Sequence, residues 1–141
     1  AEVLGRLGAK HIMVVHAADG LDEISIAAET FVAEYKDGAI TEYKINPEEF
    51  FSTRQSLQGL SVTNAQQSLA LILDALGKRA GPNAAKAADL IAINSGAALY
   101  VAGCANDLKQ GVAMAQDAIQ SGLAKAKISD FAAFTAAQAD A

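Results

Sequence analysis

The residues best suited to chemistry are an adjacent carboxylate pair, Asp22-Glu23, in the segment Val14-Val-His-Ala-Ala-Asp-Gly-Leu-Asp-Glu23. A short apolar run gives way there to a glycine-bearing turn, and the two acids follow at once. Adjacent side chains point to opposite faces of a strand and diverge on a helix. On a loop or at a helix start, both can converge on one cation. Two carboxylates are what Mg²⁺ commonly takes from a protein, with water and phosphate oxygens filling its other positions. In open α/β sheets, moreover, ligands gather beyond the carboxyl ends of the strands. The residues leave a second reading open. Asp19-Gly20 can be an ordinary turn, with Asp22 capping a short helix through Ile24-Ser25-Ile26.

Other polar positions carry less chemistry. His16 ends the apolar run, but no second His or Cys lies at metal spacing, so a buried, hydrogen-bonded histidine is expected. Asn94-Ser-Gly96 interrupts a long apolar stretch. Its glycine suits the close approach of another backbone, with Asn94 satisfied internally. Cys104, beside Gly103, reads as a small buried residue. Lys78-Arg79 follows a helix pattern, where cations favour the helix dipole without any phosphate. No phosphate-binding P-loop, dinucleotide fingerprint, nucleophile elbow or zinc motif is present.

The chain has 141 residues, 52% hydrophobic and 19% charged, enough for one folded domain. Its net charge is −5, and no basic run exceeds Lys78-Arg79. Nucleic acid needs a basic stripe to displace counterions, so it is not an expected partner. A net-acidic protein would repel phosphates unless a cation bridged them. The single cysteine precludes an internal disulfide and fits a reducing, cytoplasmic setting. No stretch reaches the roughly 18 apolar residues of a membrane span, so no membrane partner is expected.

These residues must be held by recognisable elements. Val3, Leu4 and Leu7 have helical spacing, and Gly8 follows as a stop. The run His11-Ile-Met-Val-Val-His16 suits a buried strand covered on both faces, as in a parallel sheet. Residues 30–36 and 39–45 flank Asp37-Gly38, the residue pair that favours a two-residue hairpin turn. Counting outward pairs Tyr35 with Ile40 and Val32 with Tyr43, leaving Phe31 with Lys44 and Ala33 with Glu42 on the other side. Pro47 ends the second strand, and residues 51–63 read as polar loop.

Four helices are expected beyond Asn64. The first is capped by Asn64, places Leu69, Ile72, Leu73 and Leu76 inward, and stops at Gly77. The second starts at Gly81-Pro82-Asn83, ends near Gly103 and is apolar almost all round, as befits a buried central helix. Asn106 or Asp107 caps the third, whose inner face is Leu108, Val112, Ala115 and Ile119. The last turns Ile128, Phe131 and Phe134 inward, and its alanine-rich tail is expected to fray.

The sum is an α/β chain with a mixed sheet: one buried strand, a hairpin, then four helices. A strand such as 11–16 calls for parallel neighbours, and no second run of that type follows. The N-terminus also opens without Met, within a helix pattern. Residues 1–141 are therefore expected to be the C-terminal part of a larger α/β domain, with further strands upstream.

The segments Leu7-Gly-Ala-Lys-His-Ile-Met-Val-Val-His16 and Asp19-Gly-Leu-Asp-Glu23 resemble the C-terminal half of the anthranilate phosphoribosyltransferase family. So do Ile45-Asn-Pro-Glu-Glu-Phe50, Asn64-Ala65, Asn94-Ser-Gly-Ala-Ala-Leu-Tyr-Val-Ala-Gly103 and Ala118-Ile-Gln-Ser-Gly-Leu-Ala124. The likeness covers nearly the whole chain, in order. Ala17 stands where that family usually has Gly, and Ser95 where Ala is common. Neither departure touches the acidic pair.

The resemblance implies transfer of a phosphoribosyl group from phosphoribosyl pyrophosphate to anthranilate, with Mg²⁺ neutralising the departing pyrophosphate. It matches Asp22 and Glu23 to that family's metal pair, with Glu23 the better placed to reach two ions. It also implies that the phosphate loop, the anthranilate-binding groups and the homodimer-forming helical domain lie upstream. The chain would then hold no catalytic residue beyond its metal pair and would be inactive alone. Pyrimidine nucleoside phosphorylases are similar in fold and supply the nearest alternative. A nucleic-acid-binding homologue is a further one, opposed by the acidic pair and the negative charge.

Overall fold

The computed structural model describes residues 1–139. A short helix α1 (Glu2–Arg6) leads into strand β1 (His11–Ala17), then β2 (Thr30–Lys36) and β3 (Ala39–Ile45). Four helices follow: α2 (Ala65–Ala75), α3 (Ala84–Val101), α4 (Leu108–Gln120) and α5 (Leu123–Ala139). The α/β class and the order of elements are as expected.

The β2–β3 hairpin has the anticipated turn and register. Asp37 and Gly38 both adopt positive φ, 51° and 83°, which a right-twisted two-residue hairpin requires. Tyr35 pairs with Ile40, Val32 with Tyr43, Phe31 with Lys44 and Ala33 with Glu42. The faces, however, divide differently. Residues alternate across a strand, so Thr30, Val32 and Glu34 point inward and are buried, while Tyr35 shares the outer face with Phe31 and Ala33. There α1 covers Tyr35 so closely that a Cβ on Gly5 would lie 2.7 Å from its ring.

β1 differs from expectation in its pairing. It runs antiparallel to β2, His11 opposite Lys36 through Ala17 opposite Thr30, and forms one edge of the order β1-β2-β3. It is half-buried rather than covered on both faces, with Val14 and His16 exposed. An apolar, β-branched run reports burial but carries no information on strand direction. Residues 18–29 form no helix, so the chain simply doubles back.

The main core joins this sheet to the helices. Val32 and Ile45 meet Ile93 of α3 and Val112 of α4, with Ile24, Ile26 and Phe51 arriving from loops. Residues 51–63 are thus loop-like but not wholly polar in role, since Leu57 and Leu60 also pack on the core. A second cluster of Leu76, Ala92, Ala115 and Ile119 binds α2, α3 and α4, with Ile128 of α5 against it.

Both helix caps form as sequence predicts. The Asn64 side chain accepts from the Gln67 N–H at 2.9 Å, and Asp107 accepts from Gln110 at 2.8 Å. Two apolar expectations fail. Leu69 is 52% exposed because the inward line of α2 runs through Ile72, Ala75 and Leu76. Phe131 and Phe134 are 66% and 64% exposed, since only the first turns of α5 reach the bundle. Helix α5 continues to Ala139, past the point where fraying was expected.

Candidate functional site

β1 ends in a tight turn that sets up the acidic pair. The Gly20 N–H donates to the Ala17 carbonyl, the Ala17 N–H to the Leu21 carbonyl, and Gly20 takes φ 93°. Asp22 and Glu23 come next, both exposed on irregular backbone. No helix forms at residues 24–26, so the capping role open to Asp22 is not realised. That stretch is instead a buried plug: Ile24, Ser25 and Ile26 are all 1% exposed or less.

Three side chains pin the plug. Asn94 of α3 accepts from the Ile24 N–H and donates to the Ile24 carbonyl, each at 2.9 Å. Thr30 Oγ1 accepts from the Ser25 N–H at 3.1 Å. Ser25 Oγ donates to Asp19 at 2.6 Å and accepts from the Ala27 N–H at 2.9 Å. A buried loop needs such partners because it has no ladder of its own. The expectation of an internally satisfied Asn94 thus holds, and its neighbour Gly96 meets α4 as expected, with a Cβ position 2.5 Å from the Val112 nitrogen.

Among the described residues, neither Asp22 nor Glu23 makes a side-chain hydrogen bond or an ion pair. Nor do any three of His, Cys, Asp and Glu gather into a metal cage there. Glu23 borders an apolar cavity of about 430 Å³ walled by Leu21, Leu57, Leu60 and Leu90. The pair therefore stands as two uncommitted, solvent-exposed carboxylates on anchored backbone, with Glu23 beside a cleft.

Of the remaining candidates, His16 is exposed rather than buried, and so is Cys104. A strand end and a helix–helix connection both lie at the surface, which residue type alone does not reveal. Sequence reasoning missed a polar cluster built on Glu34, which is 9% exposed. Its carboxylate takes hydrogen bonds from His11 at 2.7 Å, Tyr43 at 2.8 Å and Tyr100 at 2.7 Å. The only available signal was a glutamate on the inward period of β2.

Residues 1–125 match the family described as the glycosyl transferase family, a/b domain. The chain belongs to this family. Its relatives include the anthranilate phosphoribosyltransferase of Stutzerimonas stutzeri (strain A1501), 62% identical over 96% of this chain. That of Cellvibrio japonicus (strain Ueda107) is 64% identical over the same share. The chain spans 39% of the length of either relative and matches their C-terminal portion. Among solved structures, the Saccharomyces cerevisiae anthranilate phosphoribosyltransferase in complex with 4-fluoroanthranilate superposes with a TM-score of 0.67. The likeness is 19% in identity and covers 79% of this chain and 32% of that one. The same yeast enzyme in complex with PRPP and Mg gives 0.63 at 19% identity, over 78% of this chain and 31% of that one. These likenesses establish the fold of the glycosyl transferase a/b domain here. No helix among the described residues is long and apolar enough to cross a membrane.

Proposed function

We propose that this chain supplies the Mg²⁺-holding part of a phosphoribosyl transfer site, with phosphoribosyl pyrophosphate as donor and anthranilate as acceptor. The observation that carries the reading is the uncommitted pair Asp22-Glu23, exposed just beyond β1 on backbone anchored by buried side chains. Exposed, unpaired carboxylates fit Mg²⁺, which keeps several waters and takes its other ligands from phosphate. When bound, the ion supplies positive charge against the pyrophosphate oxygens as the ribose C1–O bond breaks.

Asp22 and Glu23 would hold that charge in place, Glu23 reaching furthest toward the cleft. The anthranilate amine forms the new C1–N bond, and its surplus proton leaves to solvent. The groups that bind phosphate and anthranilate belong, in this reading, to the part of the relatives that this chain does not span. Alone, the 141 residues have no transferase activity, and the whole enzyme is a cytoplasmic homodimer joined outside this chain. Relatives 56–64% identical that are named anthranilate phosphoribosyltransferase do not favour a nucleoside phosphorylase or a nucleic-acid-binding role.

The test is to graft the chain onto the remainder of the Stutzerimonas stutzeri relative. The chimera should release pyrophosphate in an anthranilate- and Mg²⁺-dependent way, and Glu23→Gln should cut kcat at least about 100-fold. A folded chimera without that turnover, or one indifferent to Glu23→Gln, overturns the proposal. Turnover of anthranilate by the isolated chain overturns the claim that it is inactive alone.

A further inference from the structure

We infer that Asn94 is a positioning residue for the Asp22-Glu23 pair, acting through the backbone of Ile24. This rests on the metal reading above and adds to it the group that aims the carboxylates.

The Ile24 N–H belongs to the planar peptide unit that begins at the Glu23 carbonyl. Asn94 grips that unit by accepting from the N–H, and it grips the next unit by donating to the Ile24 carbonyl, both at 2.9 Å. A second Asn94 amide hydrogen goes to the Leu90 carbonyl of its own helix at 3.0 Å. Both of its donors are therefore used, and the side chain has one rotamer that serves. This arrangement reproduces the paired N–H and C=O contacts of an antiparallel strand at one residue. Leu or Met supplies neither contact, and Asp supplies only the acceptor.

The grip lies immediately behind the acids. The Ile24 side chain is 1% exposed and wedged in the core, so the residue following Glu23 is fixed by side chain and backbone alike. Glu23 and Asn94 also border the same cavity, so the helix reaches the site directly. Asn is a poor choice for the middle of an apolar helix unless its amide is needed. Mg²⁺ tolerates little deviation from octahedral geometry, and groups behind metal ligands commonly set affinity 10- to 100-fold.

A bland role for Asn94 would be to satisfy a buried loop, which would affect stability and nothing else. The two roles separate in metal binding by the 141-residue chain, read by paramagnetic broadening of backbone amides with Mn²⁺, alone and with inorganic pyrophosphate. Wild type should broaden selectively at Asp22 and Glu23, and Glu23→Gln should lose the effect. Asn94→Ala should weaken Mn²⁺ at least about 10-fold, while Ile119→Ala, a truncation in the second core cluster that does not touch Ile24, should leave affinity unchanged. Asn94→Asp is the second variant, should Asn94→Ala fail to fold. It adds negative charge near the site, so simple electrostatics predicts tighter binding, whereas loss of the grip on the Ile24 carbonyl predicts weaker binding. Wild-type affinity in folded Asn94→Ala, or tighter binding in Asn94→Asp, overturns the inference and leaves the metal reading intact. No selective broadening in wild type overturns the inference, and, if the chimera too is indifferent to Glu23→Gln, the metal reading with it.

Discussion

The hydroxyl of Tyr100, near the end of α3, donates a 2.7 Å hydrogen bond to the Glu34 carboxylate in the middle of β2. The same carboxylate is bonded by His11 of β1 and Tyr43 of β3, so one buried acid ties all three strands to the central helix. Lys36 completes the group, its ammonium 4.8 Å above the Tyr100 ring and 3.3 Å from its hydroxyl. Burial raises the Tyr100 and Tyr43 phenols, and their bonds to Glu34 raise them further. Both therefore remain donors across the ordinary pH range. Burying a carboxylate is costly unless its oxygens are satisfied, and here three donors satisfy them.

This arrangement dictates how stability responds to acid. Burial on its own would raise the Glu34 carboxyl, but hydrogen bonds from Tyr100, Tyr43 and His11 outweigh it and hold the group below its ordinary 4.5. A carboxyl lowered in the folded state contributes stability that is full above the unfolded value and is lost as pH falls through the folded one. Glu34→Gln should therefore cost about 1.5–3 kcal/mol near pH 7. The gap to wild type, followed by urea unfolding between pH 7 and 3, should shrink once pH drops below the ordinary carboxylate range. A gap that stays constant across that range would show that the ionised form is not what the three donors stabilise.

The contact of α3 with α4 yields a second prediction. A Cβ placed on Gly96 would lie 2.5 Å from the Val112 backbone nitrogen and 2.7 Å from its Cα, and Gly111 sits as close to the backbone of Gly96. Backbone cannot swing aside as a side chain can, so the helices must separate. Gly96→Ala should destabilise by about 3 kcal/mol, the upper part of the overpacking range. Gly103→Ala, a position with open space but a φ of 74°, should cost only about 1–2 kcal/mol from backbone strain. Equal losses in thermal unfolding would count against the close-approach account.

What could be read from sequence was whatever is decided within a few residues. Asp37-Gly38 and period-two alternation specify the hairpin and its register, and Asn64 and Asp107 mark helix starts by their own side chains. What could not be read depends on partners distant in the chain. Ile24-Ser25-Ile26 alternates for only three residues, too short to signal a strand or a helix, so nothing local shows that it is a buried plug. Glu34 looks like a surface residue until three other elements bring donors to it. Asn94 plainly needed a partner, but residue type could not name Ile24. The acidic pair itself stood out by type and by its place after β1, although the Asn94-held backbone behind it did not.

The outward turn of α5 supplies the last prediction. Phe131 and Phe134 share helical spacing with Ile128, and spacing alone points all three inward. Ile128 is indeed half-buried and packs on the cluster of Leu76, Ala92, Ala115 and Ile119. The helix then runs on beyond α4, which offers nothing for the next turns to cover, and both phenylalanines stay about two-thirds exposed. Replacing an exposed side chain changes stability by about 0.5 kcal/mol or less. Phe131→Ser and Phe134→Ser should therefore unfold in urea within that margin of wild type. Ile128→Ala, which removes contacts from a half-buried position, should lose about 1–2 kcal/mol, below the cost for a full core site. A large loss from either serine variant at micromolar concentration would mean that α5 packs inward after all.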